Sequence, residues 1–520
     1  MSERRTGPFT PLALFVALAA TLAAIALPAA ASSAPPGCAN RTNTTYQQLL
    51  TCVTLDGVRA HQAAFQAIAD ANDDEFYPGT RAAGTAGYAG SVDYVAGLLE
   101  DAGYNVTLDP FEFMFDFPVV INQLTPVLAD YPSGAFTGSG FGEVTAAVTA
   151  VDINLVPPRA NTSGCEAADF AGFTAGNIAL VQRGTCPFAD KAANAQAAGA
   201  SAVIVFNQGD TPLREALIIG TLGTFSASIP VVGASFDNGV ALAQAGSTAH
   251  IEVLEPEERT DVNVIAELPG TNTNNVVMAG AHLDSVTEGP GINDNGSGSA
   301  AILETALMMA KVKPENTIRF AWWGAEELGL IGSTAYVEGL TQAERDRIAM
   351  YMNYDMVGSP NYIFMVYDAD QSSFPPPAGV PIPAGSAAIE DVYESYYTSV
   401  DEPYDDTQFS GRSDYQAFIE ADIPSGGLFT GAEGIKTAEQ TSIWGGTTGA
   451  QFDPCYHLVC DTFANNNDHA LEVNSDLIAY AQLTFAFSTR SVNGVPGKQV
   501  PGSPSSPLPA PAGPEGTFLP

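Results

Sequence analysis

Val276-Val277-Met278-Ala279-Gly280-Ala281 is an unbroken run of apolar and small residues that ends in His282-Leu283-Asp284. A run of this length without polar alternation reads as a strand buried on both faces, as strands inside parallel sheets are. Residues 263–267, 317–323 and 350–353 have the same texture, and helical stretches separate them. In the helix after 276–281, Ile302, Leu303, Ala306, Leu307 and Ala310 fall on one apolar face. This alternation predicts an α/β fold, a mixed, mainly parallel sheet with helices on both faces.

Polar residues collect where those strands end. His282 and Asp284 follow 276–281, Glu326 and Glu327 follow 317–323, and Asp355 follows 350–353. In open parallel sheets ligands bind beyond the carboxyl ends of the strands, so distant segments would deliver these groups to one crevice. Asp294 lies in Gly291-Ile292-Asn293-Asp294-Asn295-Gly296-Ser297-Gly298, a tight loop opening a helix, and His457 lies between Cys455 and Cys460. Two imidazoles with three or four carboxylates suit borderline divalent metals, zinc above all, and exceed what one tetrahedral ion needs. Two metals are therefore expected, with an acidic residue between them. Asp284 is expected to accept the other ring N–H of His282 and so orient it, without binding metal.

Each residue alone has a plainer reading. An Asp at a strand end is most often a helix cap, and paired Glu residues suit a helix start. Only their joint occurrence points to a site. His61, His250 and His469 lack such context and receive no role.

Outward from this region, residues 45–113 read as helical and then extended, with Val92, Val95, Leu98 and Leu99 at helical spacing and Gly103 ending the run. From 118 to 258, short strand-like runs such as 178–182, 202–206 and 229–232 alternate with Ala-rich helical pieces such as 188–198. That texture predicts an inserted compact domain between a first part, 35–117, and a second, 259–490. Beyond Arg490 the chain is rich in Pro, Gly and Ser, so 491–520 is expected to be a disordered tail.

At the other end, Arg4 and Arg5 precede an apolar stretch and small residues from Ala29 to Ala34, which reads as a signal peptide over 1–34. The expected location is therefore extracellular. Six cysteines in an exported chain suggest three disulfides, and proximity proposes Cys38 with Cys52, Cys165 with Cys186 and Cys455 with Cys460 among fifteen connectivities. A zinc-thiolate site is the rival, but no C-x-x-C pair exists.

The 520 residues exceed one hydrophobic core, and 58 acidic residues against 19 basic ones leave a net charge of −39. Such a chain repels phosphate backbones and anionic lipids, so neither nucleic acid nor a membrane is an expected partner after signal removal. The 46% hydrophobic content argues against disorder.

Several segments together resemble the secreted two-zinc aminopeptidases, the bacterial leucine-preferring enzymes and fungal aminopeptidase Y. They are His282-Leu283-Asp284-Ser285, Gly291 to Gly298, Trp323-Gly324-Ala325-Glu326-Glu327-Leu328-Gly329, Asn353-Tyr354-Asp355-Met356, Gly411-Arg412-Ser413-Asp414, and Cys455-Tyr456-His457 through Cys460-Asp461. Gln182-Arg183-Gly184-Thr185-Cys186-Pro187-Phe188 looks like a protease-associated domain, a non-catalytic insert. Tyr415 departs from the bacterial pattern, where a His often follows Ser-Asp.

The resemblance implies a zinc exopeptidase fold with a β-rich α/β insert. His282 and Asp355 would bind one zinc, Glu327 and His457 the other, and Asp294 would bridge. Glu326 would be the general base, Tyr456 would steady the oxyanion, and Met356, Phe429 and Arg412 would border the pocket for the substrate's first residue. Peptide or protein N-termini, with a large apolar first residue, are the implied substrate, and a monomer is expected. A glutaminyl cyclase on this scaffold resembles a one-zinc site lacking the first His, yet His282 is present. A carboxypeptidase would want a cationic carboxylate clamp, for which Arg412 alone is thin. A non-catalytic ectodomain of the same fold should have lost ligands or Glu326.

Overall fold

Residues 276–281 form the heart of the strand Asn272–His282, which runs parallel to Asn316–Trp323 on one side and to Ile348–Tyr354 on the other. Ser425–Phe429 adds a fourth parallel strand beyond Ile348–Tyr354. The structure, a computed structural model, describes residues 35–376, 379–503 and 508–514. The signal-peptide segment expected at 1–34 lies outside the described residues.

The four parallel strands are flanked by antiparallel partners. Glu257–Leu268 pairs with Asn316–Trp323, and Asn105–Phe115 then closes that edge. At the other edge Met365–Tyr367 runs antiparallel to Ser425–Phe429 and parallel to the outermost strand, Asp405–Thr407. The result is a mixed eight-stranded sheet covered by helices on both faces.

Alternation along the strands divides its core in two. Val277, Ala279 and Ala281 face one cluster with Phe320, Trp322, Met350 and Met352, under helices that include Leu55–Ala71, Ala86–Ala102 and Asp468–Phe487. Val276, Met278, Trp323 and Tyr351 face the other, beside Tyr336 and Phe418 of two shorter helices. This is the period-two pattern of a sheet packed on both sides.

Gly296–Met309 departs from the one-faced helix expected, because it is buried on nearly all sides. Small residues at its start permit that: a Cβ on Gly298 would lie 2.1 Å from the Tyr354 carbonyl oxygen. The helix start thus presses against the end of Ile348–Tyr354, drawing the 291–298 loop toward Asp355.

A second eight-stranded sheet is built from strands running from Val120–Thr125 through Thr248–Val253, with the helices Phe188–Ala197 and Phe236–Leu242. It leaves and rejoins the first sheet at neighbouring points, since Phe115 pairs with Glu257. Glu257 and Glu258 already belong to the first sheet, before the boundary expected at 258. Charged residues at the start of this strand gave no apolar signal there.

All three proximity pairs are disulfide-bonded, Cys38–Cys52, Cys165–Cys186 and Cys455–Cys460. The disordered tail expected from 491 is corrected for its described part. Val492 and Val500 are buried, and Leu508 packs on the core. The N–H groups of Ala512 and Gly513 donate to Thr398 Oγ1 and the Tyr404 hydroxyl. A few apolar anchors suffice in a segment whose composition suggested none. Among the described residues, no helix is long and apolar enough to cross a membrane.

Candidate active site

The carboxyl ends of the parallel strands open into one crevice. His282 is the last residue of its strand, Asp355 directly follows Ile348–Tyr354, and Glu326 and Glu327 lie in the turn after Asn316–Trp323. Asp294 comes from the loop before Gly296–Met309, and His457 from the loop closed by Cys455–Cys460.

Asp294 sits between the two imidazoles. One carboxylate oxygen is 3.2 Å from His282 Nε2 and the other 3.3 Å from His457 Nε2. Asp355 Oδ1 lies 3.3 Å from His282 Nε2, and Glu327 Oε2 lies 3.1 Å from His457 Nε2. Two histidine-carboxylate pairs thus share a central carboxylate. Glu326 joins the first pair, with ligand-type atoms of His282, Glu326 and Asp355 within 4.8 Å of one another.

The side chain of His457 is 40% exposed, whereas His282 and Asp294 are buried, so the cluster opens to solvent on the His457 side. Burial pushes Glu326 well above the usual carboxylate range, and Asp355 and Glu327 beside it push the same way. Burial and Asp294 raise Glu327 to about 8. Burial opposes charge on His457, but Asp294 and Glu327 outweigh it and raise that imidazole to about 10. Asp294 is held low by its two imidazoles despite burial.

These electrostatics and the donor set fit zinc. Nitrogen and oxygen donors converge from five positions, buried carboxylates crowd one another, and Glu327 Oε1 is buried without a hydrogen-bond partner. A divalent cation relieves that repulsion and takes up the orphaned oxygen.

Supporting contacts surround this cluster. Asp284 lies beside His282 as expected of an orienting partner: His282 Nδ1 is 3.2 Å from the Asp284 carbonyl oxygen and 3.6 Å from its carboxylate. That carboxylate also accepts the backbone N–H groups of Glu326 and Glu327, at 3.2 and 3.3 Å. In the turn that carries both glutamates, Ala325 is in the left-handed region, at φ 53°. Met356 and His457 are also left-handed, at φ 53° and 56°. Strained backbone of this kind concentrates at functional sites, where the surroundings over-determine it.

Sequence reasoning missed two further supports. Asp461 accepts the N–H groups of Asn293 and Asp294, at 2.9 and 3.0 Å. Fully buried Arg81 donates to the carbonyl oxygens of Leu283, Pro290 and Gly291 and so ties the His282 strand end to the Asp294 loop. Asp355 is held by the Ser413 hydroxyl at 2.7 Å, which the Asn353 amide in turn reaches at 2.8 Å.

The crevice continues into a pocket that Met356, Arg412, Phe429 and Tyr456 line, together with Tyr367, Thr407, Gln408, Ser410 and Ala432, which sequence reasoning did not single out. An adjoining recess bordered by Ile363, Met365, Phe429 and Phe452 is mostly apolar. Arg412 donates to the Tyr456 hydroxyl at 3.2 Å and to Glu433 at 2.8 Å. The Tyr456 ring stacks on His457 with centroids 3.8 Å apart. Tyr415 accepts the Gly411 N–H at 2.8 Å and so braces the Arg412 loop.

Comparison with known proteins agrees with this geometry. The profile of peptidase family M28 matches residues 263–482, and that of the PA domain matches residues 149–242. An aminopeptidase of Pseudomonas aeruginosa is 47% identical over 452 residues, 85% of this chain and 83% of that one. The chain belongs to peptidase family M28. Leucine aminopeptidase 2 of Trichophyton rubrum is 44% identical to this M28 chain over 343 residues, 65% of the chain and 67% of that protein. A zinc aminopeptidase from Bacillus subtilis is similar in structure, with a TM-score of 0.54 and 26% identity, covering 82% of this chain and 94% of that one. The M28 chain, with its inserted PA domain, is a zinc-dependent peptide hydrolase.

Proposed function

We propose that this chain is an exported aminopeptidase that removes N-terminal residues, preferably large and apolar ones, using two zinc ions and Glu326 as general base. The observation that carries this reading is the Asp294 carboxylate spanning two imidazoles, each with its own second carboxylate. His282 and Asp355 would hold one zinc, Glu327 and His457 the other, and Asp294 both. Zinc bound there polarises a scissile carbonyl and acidifies water.

The chain's own groups do the rest. Glu326 accepts a proton from the attacking water and passes it to the departing amine, the work of a general base and then a general acid. Tyr456 donates its hydroxyl to the carbonyl oxygen as charge builds there, held in place by Arg412 and by stacking on His457. Asp355 and Glu326 attract the substrate's α-ammonium, which confines cleavage to a free N-terminus. Met356, Phe429 and the apolar recess receive the first side chain.

Arg412 is engaged by Glu433 and Tyr456, which disfavours a clamp for a C-terminal carboxylate. Three disulfides suit an oxidising, extracellular setting.

Hydrolysis of a leucine-initiated peptide, its N-acetylated form and its C-terminal amide, each with and without a chelator, tests the reading. The free and amidated peptides are expected to lose leucine, the acetylated one to resist, and the chelator to stop the reaction. Cleavage of the acetylated peptide, or failure on the amide alone, contradicts it.

A further inference from the structure

Five carboxylates converge in a second place, away from the histidines. Asp368 and Asp370 lie in the loop after Met365–Tyr367, Glu390 and Glu394 are one turn apart on the helix Ala387–Ser399, and Asp406 is on the edge strand Asp405–Thr407. Ligand-type oxygens of Asp368, Asp370 and Glu390 lie within 4.8 Å of one another, as do those of Glu390, Glu394 and Asp406, so Glu390 joins both groups. All but Asp370 are buried.

Several of these oxygens do structural work, both of Asp368's among them, which accept the N–H groups of Ser372, Ser373 and Phe374. Glu390 Oε2 accepts the N–H groups of Ala369 and Asp370, at 3.0 and 2.8 Å, and Asp406 Oδ2 accepts the hydroxyls of Ser372 and Ser373. Their other oxygens do none: Glu390 Oε1 and Asp406 Oδ1 are buried without a hydrogen-bond partner, on residues 2% and 0% exposed. Burial raises Glu390 to about 9 and Glu394 to about 8, and the carboxylates around them push the same way. Buried like charges of this density are costly unless a cation or protons neutralise them.

We propose that this cluster binds one calcium ion through Glu390 and Asp406, with Asp368, Asp370 and Glu394 completing an all-oxygen shell. Hard oxygen donors with no imidazole or thiolate select calcium over zinc, and six to eight such ligands are what calcium takes. The ion would pin the 368–374 loop and the helix Ala387–Ser399 to the edge strand. Tyr367 and Thr407, which flank the cluster in sequence, line the substrate pocket, so the ion would brace one of its walls. This site goes beyond the peptidase reading and does not depend on it.

The test uses the full, zinc-saturated chain freed of calcium. Calorimetric titration is expected to find one calcium per chain, and millimolar calcium to raise the melting temperature by about 3 °C or more. The double substitution Glu390→Gln with Asp406→Asn is expected to abolish both effects with zinc content unchanged. It should also melt no lower than the calcium-free parent, because amides remove the repulsion. Should that variant fail to fold, Asp370→Asn at the exposed position is expected to weaken calcium binding about tenfold. No uptake by the parent, with the melting point unmoved, would show that protons neutralise the cluster. Equal uptake by the double variant, or an equal shift from sodium chloride at matched ionic strength, overturns the proposal as well.

Discussion

Glu326 and Glu327 are neighbours in sequence, yet the proposed mechanism gives them opposite duties. Glu327 faces His457, and Glu326 faces His282 and Asp355. Replacing Glu326 by Gln keeps its shape and removes the proton acceptor, so both zinc ions should stay while turnover falls about 10²–10⁴-fold. Glu327→Gln should instead lower zinc content, because a neutral amide replaces a charged ligand. Metal analysis beside steady-state rates separates the two, and zinc loss in the Glu326 variant with none in the Glu327 variant would exchange their roles. His282, Glu326, Glu327 and Asp355 could be grouped from the sequence because they follow strand ends, whereas Asp294 and His457 stand in loops. Arg81 was not legible, since its partners are main-chain carbonyls that no side-chain pattern announces. For Asp284 only the His282 partner could be read; that its carboxylate also accepts the N–H groups of Glu326 and Glu327 depends on the fold of the turn at Ala325.

At the scale of elements, helix Gly296–Met309 shows how packing sets the site. Its first residues press on the strand end that precedes Asp355, and Asn295 caps it while its side-chain amide donates to the Tyr354 carbonyl at 2.9 Å. Gly298→Ala would force a Cβ against that carbonyl oxygen, which is backbone and cannot swing aside. Overpacking of this kind costs about 1–3 kcal/mol. The variant is expected to melt several degrees lower and to bind zinc more weakly, since Asp294 and Asp355 move apart. An unchanged melting point and zinc affinity would mean that the contact yields easily. Central strands were readable from unbroken apolar runs, and 178–182 and 202–206 coincide with the strands Ile178–Gln182 and Ala202–Phe206. The two short strands Met365–Tyr367 and Asp405–Thr407 were not, because three residues hold no periodicity and Asp405-Asp406 reads as loop.

For the whole molecule, the insertion leaves the first sheet at Phe115 and returns at Glu257, which face each other across one antiparallel pair. A short turn can therefore close the gap if residues 118–254 are removed. The shortened chain is expected to fold, to take up zinc and to hydrolyse a leucine anilide at a rate within about tenfold of the full chain, because no proposed ligand lies in the insert. A folded, zinc-loaded deletion without activity on that small substrate would assign the insert a part in the site. Its inserted character was legible from the change in texture, and so was the alternation that builds the first sheet. The packing of the described tail residues was not. Burial of Val492 and Val500 depends on grooves made by distant parts of the chain.

The central claim is a two-zinc centre that acts on free N-termini, and a zinc titration tests it most directly. Zinc is added stepwise to chelator-stripped protein while release of leucine from its anilide is followed, with the N-acetylated anilide as control. Activity is expected to rise until two zinc ions are bound per chain, with the acetylated substrate intact throughout. Full activity at one zinc per chain, or equal cleavage of the acetylated substrate, would contradict it.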